Sequence, residues 1–311
     1  MKKSALVMII VWSLIGLLII AAMAAGIAVN STRFAFGPTQ SGSFTGEQEL
    51  ILDETVDLAG VTRMNMDFSS DTVRVLPSEN GQLRVVQYGK NLPESRYYRV
   101  TRSANTITVS QPVTFGFQLG GIINSQSIVE VYIPAAYDQR LDMELSSGQM
   151  DVSVPLSPSE LNVDLSSGNM EFIEDVTAGR AFIEMSSGSM KISALSTGSF
   201  NLDASSGKLT VGELSGKGSI GLSSGRITVN RLELGESLET DVSSGKLEVG
   251  IAGNPAIQFT GERFSGTLDT YFGLQYDGDS RSEMTATVGE APYRRINASV
   301  SSGSTKFTQV L

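Results

Sequence analysis

Glu144-Leu-Ser-Ser-Gly148-Gln-Met150-Asp-Val152 is followed twenty residues on by Asp164-Leu-Ser-Ser-Gly168-Asn-Met170-Glu-Phe172, and then by Glu184-Met-Ser-Ser-Gly188-Ser-Met190-Lys-Ile192. The pattern returns at 203–211, 221–229 and 241–249, and a last copy occupies 299–307. Its glycines at 148, 168, 188, 207, 225 and 245 are 20, 20, 19, 18 and 20 residues apart. A degenerate copy stands earlier, Asp67-Phe-Ser-Ser-Asp71-Thr-Val73-Arg-Val75. There Asp71 takes the glycine position, which a turn accepts from Asp more readily than from most residues.

Apolar and polar residues alternate on both sides of each Ser-Ser-Gly, as in Leu161-Asn-Val163-Asp-Leu165 and Met170-Glu-Phe172. Period two means a strand with one buried face. Ser-Ser-Gly is then the corner between two strands, where glycine permits unusual backbone angles. One of the two serines is expected to face inward as a small corner residue. Glycine recurring at this interval also argues against helix.

A single turn of such a chain cannot bury its own apolar face, so successive turns must stack. Stacking at about 4.8 Å per coil pairs the strands in parallel and lays equivalent residues over one another. Leu145, Leu165, Met185, Ala204, Leu222 and Val242 form one expected interior ladder. Met150, Met170, Met190, Leu209, Ile227 and Leu247 form the next. The expected fold class is all-β: a single-stranded parallel β-helix (solenoid) with about 20 residues per coil, right-handed by the crossover rule.

Irregular first coils are expected over 49–140, with strands at 83–88, 97–110 and 128–133. The regular Ser-Ser-Gly coils span 141–250. Residues 251–311 are read as distal coils and a cap that holds Tyr271, Phe272, Tyr276 and Tyr293. The body as a whole is 49–311, and 31–48 reads as a linker.

Ahead of the linker, 1–30 reads as a cytoplasmic stub and a transmembrane anchor. Residues 5–29, from Ala5 to Val29, carry no charge. As a helix they span about 37 Å, enough to cross a bilayer core with some tilt. Lys2 and Lys3 keep the N-terminus cytoplasmic and send the body outside. Cleavage near Ala22-Met23-Ala24 would give a secreted body instead. Either way the body is extracellular, and the uncleaved form is a single-pass cell-membrane protein.

Composition excludes several chemistries. The chain has no Cys and no His, and so no thiol nucleophile, disulfide or imidazole. Beyond residue 30 it holds 21 basic and 33 acidic residues, a net charge of −12. That argues against nucleic acid as a partner and suits a cation or a cationic one.

The recurring Ser-Ser-Gly-x-[Met/Leu/Ile]-x-[Val/Ile/Phe], preceded by an apolar residue and commonly by an acid, resembles a bacterial "putative adhesin" β-strand-repeat family, a domain of unknown function. The likeness covers roughly residues 49–311. It implies a β-solenoid at the bacterial surface, often in the company of envelope-stress or sensing systems, and it implies no activity and no cofactor.

Two motifs imitate enzymes. Gly221-Leu-Ser223-Ser-Gly225 matches a nucleophile elbow, which needs a histidine and a strand–turn–helix setting. Ser205-Ser-Gly-Lys208 and Ser243-Ser-Gly-Lys246 match Ser-x-x-Lys, which needs a helix. Both read as repeat corners. Glu144, Asp164, Glu184, Asp203 and Asp241 share one outward repeat position, so a cation such as Ca²⁺ could relieve their repulsion. The plainer alternative is a solvated acidic face, partly balanced by Lys208, Arg226 and Lys246. The expected function is a non-catalytic, adhesin-like binding or scaffold protein of the cell envelope, with an envelope protein or wall polymer as partner. A β-helix carbohydrate-active enzyme using paired carboxylates, and a regulatory ectodomain of a membrane sensor, are the alternatives.

Overall fold

Alternation does become strand, and Ser-Ser-Gly becomes the corner between two strands in the copies from 164 onward, whereas the copies at 67–75 and 144–152 each lie within one long strand. The computed structural model describes residues 48–112, 127–276 and 282–311. The anchor segment 5–29 and residues 31–47 of the linker lie outside the described residues. Among the described residues no helix is long and apolar enough to cross a membrane.

The chain opens with β1 (Glu49–Val56), β2 (Arg63–Pro77), β3 (Leu83–Gly89), β4 (Arg99–Ser103), β5 (Thr106–Ser110) and β6 (Ser127–Ile133). The regular part is β7 (Arg140–Val152), β8 (Glu160–Leu165), β9 (Asn169–Phe172), β10 (Val176–Met185), β11 (Ser189–Ala204), β12 (Lys208–Leu222) and β13 (Arg226–Val242). The far end comprises β14 (Lys246–Ala252), β15 (Ile257–Arg263), β16 (Thr267–Asp269), β17 (Gln275–Tyr276), β18 (Glu283–Val288), β19 (Arg294–Val300) and β20 (Ser304–Val310). A short 3₁₀ turn, Glu94–Arg96, precedes β4. The expected strand over 97–110 is in fact the β4–β5 hairpin, which turns at Ala104 with φ 52°.

Two walls meet at the corners. On the wall before the corner the spatial order is β4, β5, β2, β7, β8, β10, β11, β12, β13, β19, β15, β18, β17. Pairing is parallel from β5 to β15 and antiparallel at both ends. On the wall after the corner the order is β1, β3, β6, β2, β7, β9, β11, β12, β13, β14, β20, β16. Here β1–β3 and β3–β6 are antiparallel, and the rest is parallel.

Both expected ladders are present and buried. Leu145 pairs with Leu165, then Met185, Ala204, Leu222 and Val242 follow in register. Met150, Met170, Met190, Leu209, Ile227 and Leu247 do the same. A third ladder, unread in the sequence, runs Leu156, Val176, Leu195, Leu214, Leu232 and Ile251. Each leucine, isoleucine, valine or methionine in them contributes on the order of 2 kcal/mol by leaving water, and register holds because a one-residue slip would expose a whole wall.

At the far end the coils do not stack in chain order. The 299–307 copy stacks directly on the 241–249 copy, with Val242 against Val300 and Leu247 against Thr305. Outside it lies another coil, in which Arg263 pairs with Val300 and Thr267 with Ser304. Its corner, Phe264-Ser265-Gly266, is a repeat copy with phenylalanine in place of the first serine. The chain thus runs to the end of the stack and returns to fill the coil beneath it. Aromatic rings close the core there: Phe259 lies 6.0 Å from Phe307 and 5.5 Å from Phe272, and Tyr271 lies 4.9 Å from Phe272. At the opposite end Phe68 packs 5.3 Å from Tyr98.

The corners differ from expectation in two ways. Neither serine faces inward: both side chains of each pair in the six regular copies are exposed or half-exposed. Their backbones do the work instead, as in Ser187 N–H to Ser166 carbonyl (3.0 Å) and Ser206 N–H to Ser186 carbonyl (2.9 Å). The second difference is Asp71. It has no left-handed backbone, and its side chain is buried, held by Arg96 at 2.9 Å and by the Tyr98 hydroxyl at 2.5 Å.

Candidate functional site

Stacking in register turns a repeat position into a column. The residue two before each Ser-Ser-Gly points outward on the first wall, and its column reads Asp67, Glu144, Asp164, Glu184 and Asp203 over five successive coils. Gly221 interrupts it, Asp241 resumes it, and Ser299 and Glu262 finish it. Four of the five acids singled out in the sequence are therefore brought together, Asp241 is set apart by one coil, and Asp67 joins them. Asp67 was legible in the degenerate copy, which carries its acid at the same offset from Ser-Ser.

Equal charges at strand spacing, about 4.8 Å, repel. Burial raises the Asp67 carboxyl above its usual value. Burial, and then the charges of Asp67 and Asp164, raise Glu144. Among the described residues none of the five column acids takes part in an ion pair. The expected balance from Lys208, Arg226 and Lys246 is absent. Those three form a column of their own beyond the corner, where Arg226 and Lys246 pair with Glu248 at 3.7 and 2.7 Å.

Two and four residues before the acids, on the same wall, opposite charges pair. Arg63 binds Asp142 at 2.6 Å, Arg140 reaches Asp142 at 3.0 Å and Glu160 at 2.6 Å, and Arg180 binds Glu160 at 2.9 Å. Asn162 donates to Asp142 at 2.6 Å. Burial pushes the Asp142 carboxyl up, but hydrogen bonds from Arg140, Arg63 and Asn162 outweigh it and hold Asp142 below the usual carboxylate range. Between this paired row and the unpaired column lies an open groove of about 520 Å³ whose lining includes Met66, Met143 and Phe182. Phe182 is 41% exposed there, an aromatic ring beside carboxylates. Such a surface suits a cationic, partly apolar ligand through charge and cation–π contact. Among the described residues no three acidic side chains come together in a way that would hold a metal ion.

The enzyme-like motifs fall on the corners. Ser223 is exposed at one. Ser205 and Ser243 stand at the ends of β11 and β13, whereas Lys208 and Lys246 begin β12 and β14 beyond the turn. The Ser-x-x-Lys pairs thus lie across a corner and not on a helix.

No curated protein matches the sequence. Solved structures do share the fold. A putative adhesin from Parabacteroides distasonis ATCC 8503 is 13% identical, with a TM-score of 0.51 over 84% of this chain and 98% of that one. A putative lipid binding protein from the same strain is 14% identical, with a TM-score of 0.50 over 86% of this chain and 98% of that one. Another putative adhesin, from Bacteroides fragilis NCTC 9343, is 12% identical with a TM-score of 0.45 over 84% and 97%. The Toastrack DUF4097 family model matches residues 61–308, and the chain belongs to that family, a domain of unknown function.

Proposed function

We propose that this protein is a non-catalytic binding or scaffold protein displayed at the cell surface. In this reading the body is a right-handed, single-stranded β-helix of about twenty residues per coil. The segment 5–29 tethers it to the membrane, with Lys2 and Lys3 inside and the body outside. The observation that carries the binding role is the column Asp67, Glu144, Asp164, Glu184 and Asp203, five adjacent carboxylates outside any ion pair among the described residues. Repelling charges held on a rigid sheet cost stability, so their retention is best explained by a cationic partner that neutralises them.

That partner is a basic segment of an envelope protein or an amine-bearing wall polymer. An envelope protein as partner would place the body as the ectodomain of a sensing system. The names carried by the solved structures, adhesin and lipid binding protein, agree with binding and mention no reaction.

The test is retention of envelope fractions on immobilised full-length protein in detergent micelles. The variant Glu144→Gln/Asp164→Asn/Glu184→Gln should retain at least about tenfold less of the captured component, because each lost charge contact in a multi-site interface is worth roughly 0.5–1 kcal/mol. Equal retention by the variant would reject the column as the site. Retention followed by release of soluble sugar would reject the non-catalytic reading.

A further inference from the structure

The stack has one end that is not closed in the way the others are. Each corner accepts backbone hydrogen bonds from the next coil at fixed positions. The Ser166 and Gly168 carbonyls receive Ser187 and Ser189 N–H at 3.0 and 2.9 Å. The Ser186 and Gly188 carbonyls receive Ser206 and Lys208 N–H at 2.9 and 3.0 Å. The pattern continues to the outermost corner, where Ser265 and Thr267 N–H reach the Ser301 and Gly303 carbonyls at 2.8 and 2.9 Å. The corresponding acceptors of that last corner, the Phe264 and Gly266 carbonyls, receive no donor among the described residues. Among the described residues strand β16 likewise pairs on one side only, with β20. On the other wall this end is covered by antiparallel β18 and β17, and the opposite end of the stack is covered on both walls by antiparallel β4, β3 and β1.

The open corner is also the one where serine gives way to phenylalanine. Phe264 is 92% exposed. An unpaired strand edge beside a fully exposed aromatic ring is a template for pairing with another chain.

We propose that the tip formed by Phe264 and the free edge of β16 docks a second copy of this chain, tip to tip about a two-fold axis. Two features select a copy of itself as the occupant. A strand edge meets its own copy antiparallel, so that each copy completes the other, as two-fold interfaces require. Charge favours the same end. The unbroken acidic column occupies the coils from Asp67 to Asp203, away from the tip, and the basic column Lys208, Arg226 and Lys246 lies in the half nearer to it. Two bodies with a net charge of −12 beyond residue 30 therefore repel least through their tips. This inference does not depend on the acidic column being a binding site.

Pairing centred on Leu268 puts Thr267 of one copy opposite Asp269 of the other. The chain has no cysteine, so Thr267→Cys and Asp269→Cys each introduce a single thiol into the full-length protein in detergent micelles. Mixing the two variants should form disulfide dimers at least about fivefold faster than either variant alone, since a disulfide needs Cα atoms within about 7 Å. Ser166→Cys, exposed in mid-stack, supplies the background rate. Phe264→Ser restores the corner residue of the other copies and should lower the dimer fraction at fixed concentration at least about fivefold. Mixed and unmixed rates equal to each other or to the mid-stack background would overturn the proposal. So would a Phe264→Ser dimer fraction equal to that of the unsubstituted protein, or cross-linking of Asp269→Cys to a different envelope protein in preference to its own copy.

Discussion

A Cβ placed on Gly168 would stand 2.4 Å from the carbonyl oxygen of Gly148, one coil beneath it, at a backbone φ of 105°. The same relationship recurs between Gly188 and Gly168 at 2.2 Å and between Gly207 and Gly188 at 2.3 Å. Glycine is needed there twice, once for its angle and once for the closeness of the stack. Gly168→Ala should cost about 3 kcal/mol or more, the sum of strained backbone and forced separation of coils. Gly81 has a φ of 74° but nothing within 4 Å, so Gly81→Ala should cost only about 1 kcal/mol. Urea unfolding of the two variants measures the difference, and equal losses would show that stacking at the corner is not tight.

Asp71 stands where other copies have glycine, with its side chain fully buried and the Arg96 side chain 23% exposed. Arg96→Met would leave a buried carboxylate without its cation and should cost about 3 kcal/mol. Tyr98→Phe deletes one hydrogen bond to the same carboxylate and should cost about 1–2 kcal/mol. Denaturant midpoints at unchanged slope read both values. A loss below about 0.5 kcal/mol for Arg96→Met would contradict the assignment of this pair as a fold-holding contact.

Much of the fold was legible because the repeat is regular. Leu145 to Val242 and Met150 to Leu247 could be lined up by counting from each Ser-Ser-Gly, and the structure puts them in register. Phe264-Ser265-Gly266 was not legible, since losing the first serine hides the motif and the chain then doubles back before the last copy. The pairing of Arg63 with Asp142 was not legible either, because it joins coils whose intervening chain detours through β3 to β6. Nor could sequence assign Asp71, whose partners Arg96 and Tyr98 lie in that same detour. Of the site, the acidic column followed from the repeat offset. Its lack of counter-charge did not, because the corner carries Lys208, Arg226 and Lys246 onto the other wall.

The two carboxylate rows should respond oppositely to pH. Burial and neighbouring acids raise Glu144, so its charge opposes folding at neutral pH and stops doing so as pH falls through the raised value. Glu144→Gln should therefore raise the melting temperature at pH 7, with the gain vanishing once pH is below the ordinary carboxylate range. Asp142 is held low by its donors, so it stabilises above its unfolded value and loses that contribution as pH falls through its folded one. Asp142→Asn should lower the melting temperature at pH 7 and converge with the unsubstituted protein in strong acid. Melting curves across pH check both signs.

Among the described residues the fully buried Thr305 hydroxyl has no hydrogen-bond partner, in a column where Leu247 and Leu268 flank it. Thr305→Val keeps the shape and removes the unsatisfied group, and should stabilise the protein by about 1 kcal/mol. Calorimetry measures the gain, and destabilisation would mean that the hydroxyl has a partner after all.

Carbodiimide footprinting of the full-length protein, free and with the envelope component it retains, tests the account most directly. Binding through the first wall predicts strong protection of Asp67, Glu144, Asp164, Glu184 and Asp203, with Glu233 and Glu248 labelled as before. Unchanged labelling of the column, with protection confined to other carboxylates, would contradict it.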